Sequence, residues 1–256
     1  MSSPAATSVA FEPLYLALGV GLGAWYLRAA RRRRLPFRRR VAFLGGLAIG
    51  AGALNSPLES IAVQHLLSAH LIQNAMIADW SPPLLVIGLT PELRAAIAAR
   101  LGRPFRRLTS VPVALTVWLL AWYATHVPLL YEGALRHPRW LNLEHGILIA
   151  AGLVFWWAVL ADRPPRSSHG ARLALILAGF LLAGPLGFAF VLSPSPLYGY
   201  YAHRPPLWGL SPVEDQHLGG IFMNTEQAVA MFAAAAYLFK RWIDEDAVRR
   251  AAPIPR

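Results

Sequence analysis

The chain has 256 residues, 56% hydrophobic and only 14% charged, with a mean hydropathy of +0.43. With no cysteine, disulfides, thiolate metal sites and cysteine nucleophiles are excluded, so any soft metal ligand has to be histidine or methionine. The excess of basic over acidic residues, 24 against 13, is not a nucleic-acid footprint, because the basic residues fall between apolar segments, where they set topology.

Runs of about 18 or more apolar residues read as membrane-spanning helices. Seven such segments are expected, at roughly 12–30, 41–57, 60–89, 111–130, 145–161, 172–192 and 218–239. Together they predict an all-α integral membrane protein, one polytopic domain over residues 1–256. The leading MSSPAATSVAFEP has no basic n-region or cleavage site and does not read as a removable signal peptide. The second span contains GGLAIGAG, which suits close helix packing. The third is longer than a crossing needs, and Pro82-Pro83 is expected to end or break it. Pro185 is expected to kink the sixth. SPVEDQH reads as the start of the seventh: Ser211 caps, Pro212 fits the first helical position, and Glu214 completes a capping box.

Twenty-one of the 24 basic residues fall on one side of this arrangement. They lie in RRRRLPFRRR and its neighbours, the 3–4 loop, the 5–6 loop and the tail. Only Arg136, Arg139 and Arg204 fall on the other side. The positive-inside rule then puts the N-terminus outside and the C-terminus in the cytoplasm. The arginine cluster also suits contact with anionic lipid.

With this topology, seven of the eight histidines lie outside or in the outer part of the bilayer, and only His169 is cytoplasmic. In the third span, His70, Gln73, Asn74 and Ile77 share a helix face, while His65 lies about 140° from His70. Each histidine therefore needs a partner from another helix. His126 ends the fourth span, His145 opens the fifth and His217 opens the seventh. Imidazoles gathered on one side suit copper, zinc or iron, and Met76, Met223 and Met231 are thioethers that favour Cu(I). Interhelical hydrogen bonding and core packing are the structural alternatives for the same residues. Two carboxylates, Asp79 and Glu226, lie within spans, where such groups mark proton paths, metal sites or buried pairs. For Asp79, followed by Trp-Ser-Pro-Pro, a cap at a helix break is the alternative. The outer 6–7 loop, SPSPLYGYYAHRPPLWGLSPVEDQH, has the length and aromatic content to cover a site or to sit at the membrane interface.

Three blocks together carry a resemblance: SAHLIQNAMIADWSPPLLVIG, THVPLLYEGALRHPRWLNLEHGILIAAGLVFWWAVL and LSPVEDQHLGGIFM. They resemble the multi-spanning CtaG-type cytochrome c oxidase assembly family, distinct from the single-span copper chaperones that share the name. The matching motif positions are His70, Gln73, His126, Tyr131, Glu144, His145, Asp215, Gln216 and Met223. Asn74, Thr125, His217 and Asn224 depart from the pattern, replacing a histidine, a tryptophan, a glutamine and a tryptophan. His217 or the additional His65 would compensate for the histidine lost at Asn74. The resemblance implies a non-enzymatic accessory factor for maturing a haem-copper oxidase, holding or delivering copper through His70, His126, His145 and His217. It implies membrane lipid, oxidase subunits and copper chaperones as partners. Two other readings stay open: a bis-histidine haem b redox protein, and a proton-coupled transporter using Asp79 and Glu226. The chain has no H-E-x-x-H motif, which argues against a membrane metalloprotease.

Overall fold

The structure is a computed structural model that describes residues 8–9, 11–161 and 168–251. Arg163, Arg166, Arg256 and most of the leading segment lie outside the described residues. Among the described residues every regular element is helical, with no strand.

Helix α1 (Pro13–Arg33) ends at Arg34, whose φ of 50° is left-handed and closes the helix. Helix α2 (Phe37–Leu54) starts four residues earlier than the sequence suggests, so Arg38, Arg39 and Arg40 belong to its first turn. One member of this arginine cluster has a structural job. Arg39 Nη1 donates to the carbonyls of Ile87 and Leu89 at 2.8 and 2.7 Å, satisfying the end of a neighbouring helix.

The third expected span is not one helix. It is divided into α3 (Pro57–Gln64), α4 (Leu67–Ala75), a five-residue π-turn (Met76–Trp80) and α5 (Ser81–Gly88). The expectation for Pro82-Pro83 is corrected: these prolines lie in the first turn of α5 instead of ending the helix. Their missing N–H groups fall where the α-helical ladder gives way to the wider π-turn, so little backbone bonding is lost.

The 3–4 loop is itself helical. Helix α6 (Pro91–Leu108) begins at the Thr90 cap, where Oγ1 accepts from Leu93 N at 3.3 Å, and it kinks at Gly102, whose φ is 71°. Its Arg94 is no loop charge but a buried residue donating to Leu160 O at 2.6 Å. Helix α7 (Val111–Thr125) stops at His126, earlier than expected. Then come α8 (Pro128–Arg136) and α9 (Pro138–Leu160). His145 is therefore seven residues inside α9 instead of at its start, about 10 Å along the axis. Helix α10 (His169–Leu192) runs through Pro185, α11 (Gly199–Ala202) is one turn of the long loop, and α12 (Pro212–Ala251) has 40 residues. The expected capping box is present. Glu214 N donates to Ser211 Oγ at 3.3 Å, and Ser211 N donates back to Glu214 Oε2 at 2.8 Å. These bonds hold the Glu214 carboxyl below its ordinary range.

Among the described residues two helices, α9 and α10, are singly long and apolar enough to cross a membrane. Two further pairs pass that test only together, α2 with α3 bent by 45° and α6 with α7 bent by 73°. Large apolar side chains such as Leu18, Leu120, Leu129, Leu192, Val229 and Phe232 are exposed on the outside. Such an exterior is suited to hydrocarbon. The largest core cluster joins α7, α9, α10 and α12 around Trp118, Phe155, Tyr131, Phe190 and Met231. Helices α10 and α12 meet closely at Gly187 and Gly220, where an added Cβ would overlap Asn224 or the Gly187 carbonyl.

Candidate functional site

The break between α3 and α4 sets the geometry of the site. Leu66 is extended, and α4 has no cap of its own. Asp215 of α12 supplies one from across the bundle: Oδ2 accepts from Leu67 N at 2.7 Å, and Oδ1 accepts from Ser68 N at 3.1 Å and from Ser68 Oγ. Its neighbour Gln216 fixes the start of the long loop by accepting from Leu197 N and donating to the Phe190 and Ser195 carbonyls. Two motif positions therefore shape the site without entering it.

So anchored, α4 turns His70, Gln73 and Asn74 fully inward. Gln73 donates to Ala53 O at 2.8 Å and to the carboxylate of Glu59, a buried residue of α3. Glu59 is a functional candidate that sequence reasoning missed. It follows the Ser56-Pro57 helix start, so its position reads as an ordinary first-turn carboxylate. Both amide atoms of Asn74 are buried without a hydrogen bond.

The partners of His70 fix its tautomer. Tyr201 Oη donates to Ala62 O at 2.6 Å, so its lone pairs are what it offers to His70 Nδ1 at 3.2 Å. Nδ1 is thus a protonated nitrogen, and in the neutral ring Nε2 carries the lone pair. That Nε2 stands 3.6 Å from Glu144 Oε1. His126 is set up alike. Its Nδ1 donates to the Trp122 carbonyl at 2.7 Å, leaving Nε2 unprotonated, buried and without a hydrogen bond. This arrangement, with one ring nitrogen donating to the protein and the other free, is how metal-binding histidines are oriented.

His145, on the same helix as Glu144, has no hydrogen bond at either ring nitrogen, and its ring centroid is 6.2 Å from that of His70. Tyr131 of α8 is the common neighbour, 5.0 Å from the His70 ring and 6.0 Å from the His126 ring. It stacks at 4.2 Å on Tyr198, whose hydroxyl donates to His126 O at 2.9 Å. The Tyr131 hydroxyl makes no hydrogen bond, its interaction with Tyr201 being a longer one. Beside Glu144 lies a cavity of about 240 Å³ lined by Thr125, Leu130, Trp140, Leu143 and Ile147. Because Leu130, Trp140 and Leu143 are exposed, the cavity reaches the apolar exterior.

Helices α4, α7, α8 and α9 therefore bring His70, His126, Tyr131, Glu144 and His145 together. His217 stays apart, donating through Nε2 to Ser193 O at 3.0 Å. Met223 and Met231 are packed in the main core. Among the described residues, no three histidine, aspartate or glutamate side chains already converge closely enough to hold a metal ion. Asp79 and Glu226 lie beyond Gln73, at the π-turn and α12, each bonded to an indole.

A family model described as cytochrome c oxidase caa3 assembly factor matches residues 21–245, nearly the whole chain. The chain belongs to this family. The matched region contains every motif position named above and every residue of the His70–Glu144 cluster. No curated protein and no solved structure gives a significant match. Membership of this oxidase assembly family agrees with the resemblance carried by the three sequence blocks.

Proposed function

We propose that the protein is a non-enzymatic accessory factor for assembly of a haem-copper cytochrome c oxidase in a bacterial cell membrane. It crosses the bilayer seven times, through α1, α2, the broken α4–α5 unit, α7, α9, α10 and α12. Its N-terminus is outside and the arginine-rich turn between α1 and α2 is cytoplasmic. Copper is its cargo, received from the outer face at His70, Glu144, His145 and His126.

The observation that carries the copper reading is that His70 Nε2 and His126 Nε2 are both buried without a hydrogen bond, with a buried carboxylate beside the first. Buried polar atoms in native proteins normally have partners. Imidazole nitrogens fixed in the ligating tautomer, together with a carboxylate, form a donor set that suits copper. The site is not closed around an ion, which fits a carrier that must also release it.

The test is Cu(I) binding by the full-length protein in detergent, in competition with a chelator. Replacing His70 and His126 together by alanine is expected to lower affinity at least tenfold, in line with the loss of ligands. Unchanged affinity overturns the copper reading, and so does a Soret band in the purified protein, which would signal haem. Deleting the gene in its host is expected to lower the copper content of the terminal oxidase. Oxidase with full copper content after deletion overturns the assembly role.

A further inference from the structure

A second buried polar pair lies nine residues beyond His70, about 13 Å further along the broken span. Asp79 of the π-turn is 1% exposed and Glu226 of α12 is 6% exposed. Trp156 Nε1 donates to Asp79 Oδ1 at 3.2 Å, and Trp80 Nε1 donates to Glu226 Oε2 at 2.9 Å. The other oxygen of each carboxyl, Asp79 Oδ2 and Glu226 Oε1, is buried with no hydrogen bond. The charged group that acts on Glu226 is Asp79, and the Tyr237 phenol of α12 lines the same cavity as Asp79. A cavity of about 320 Å³ adjoins them, lined by Asp79, Trp80, Trp156, Ile87, Ala230 and Tyr237. Ile87 and Tyr237 are also exposed on the outside, so the cavity connects Asp79 to the apolar exterior.

We infer that Asp79 and Glu226 form a proton-binding site that holds one shared proton. Hydrogen-bond counting selects this state. With no proton, two like charges lie together out of water, the least favourable arrangement for neighbouring buried carboxylates. With two protons, one hydroxyl has no acceptor, because the indoles only donate. With one proton, an O–H···O bond between Asp79 and Glu226 uses both free oxygens, and the single remaining charge lies between two indole N–H donors. Neighbouring buried carboxyls in other proteins share a proton for the same electrostatic reason. The site is independent of the family assignment and of the histidine cluster. The adjoining cavity gives an apolar reagent a route to Asp79.

The test uses the full-length protein in detergent, treated at neutral pH with dicyclohexylcarbodiimide, an apolar reagent that adds only to protonated carboxyls. Peptide mass spectrometry is expected to find the adduct at Asp79 or Glu226 in the wild type, and this arm needs no variant. Sharing makes a second demand. In Asp79→Asn the new amide donates to Glu226 and leaves it a carboxylate, so labelling of Glu226 falls about tenfold, as for one unit of pKa. In Glu226→Gln the labelling of Asp79 falls likewise. A carboxylic-acid infrared band sensitive to D2O is expected to be lost in both variants. Absence of adduct at both positions in the wild type overturns the proposal. Undiminished labelling of the remaining carboxyl in the two variants also overturns it, because it would mean two independent acids.

Discussion

Glu144 Oε1 faces His70 Nε2 across 3.6 Å, and neither atom has a hydrogen bond. The gap is too wide for a direct bond and wide enough for something held between them. Glu144→Gln keeps the shape and removes the charge. Its Cu(I) affinity is expected to fall about 10- to 100-fold, the usual cost of losing a ligand or its orienting partner. The melting temperature is expected to stay level, since the amide fills the same space beside His70. Chelator competition and thermal unfolding measure the two effects, and unaltered affinity would remove Glu144 from the site.

Asp215 is expected to act on folding and not on copper. Its carboxylate caps α4 through Leu67 N and Ser68 N, 148 and 147 residues away in sequence. Asp215→Ala should destabilise the protein by about 1–2 kcal/mol, the scale of a lost helix cap. The folded fraction should still bind copper. Thermal unfolding beside a binding titration separates the effects, and selective loss of copper at wild-type stability would make Asp215 a ligand.

Gly152 of α9 packs directly on the carbonyl of Ala78 in the π-turn, so an added Cβ would collide with it. That carbonyl is also the one Pro82 cannot bond. Gly152→Ala should cost about 1–3 kcal/mol by overpacking. Gly19→Ala in α1 is the control, since nothing lies near its Cβ position. Equal melting temperatures for the two variants would show that α9 does not hold the π-turn in place.

At the cytoplasmic end of the proposed topology, His169 Nε2 lies 2.9 Å from Glu245 Oε2, joining α10 to α12. This hydrogen bond, with Arg241 beside it, holds the Glu245 carboxyl below its ordinary range. For a depressed carboxyl the added stability is present above the unfolded value and is lost as pH falls through the folded value. Because Glu245 is 42% exposed, the effect is expected to be below about 1 kcal/mol. Hydrogen exchange in the first turn of α10, corrected for its intrinsic pH dependence, should quicken as the solution becomes acidic. In Glu245→Gln it should be quick at every pH. A pH-independent wild type would refute the link.

The sequence shows clearly the features that depend on local pattern. The helical character, the inward face of His70, Gln73 and Asn74, and the Ser211–Glu214 box all follow from spacing. What it hides depends on distant partners. The break at His65–Leu66 cannot be anticipated because its cap arrives from Asp215. The amphipathic helix α6 looks like a loop because its arginines suggest a charged linker, while Arg94 turns inward to the Leu160 carbonyl. His217 stands among the expected copper ligands yet bonds to Ser193, since its place on α12 points it at the end of α10. The tyrosines that orient the histidines, Tyr198 and Tyr201, sit in a loop whose aromatic content also suits a lipid interface.

The π-turn puts the two halves of the third span out of phase. Its extra residue offsets the helical repeat, so α5 is turned about the axis from where an unbroken α-helix would place it. Deleting one residue between Met76 and Trp80 would swing everything downstream by about 100°. The upper donors would stay in place, and the residues after the deletion would no longer meet the helices they now pack on. One insertion thus sets how the lower half of the third span meets its neighbours.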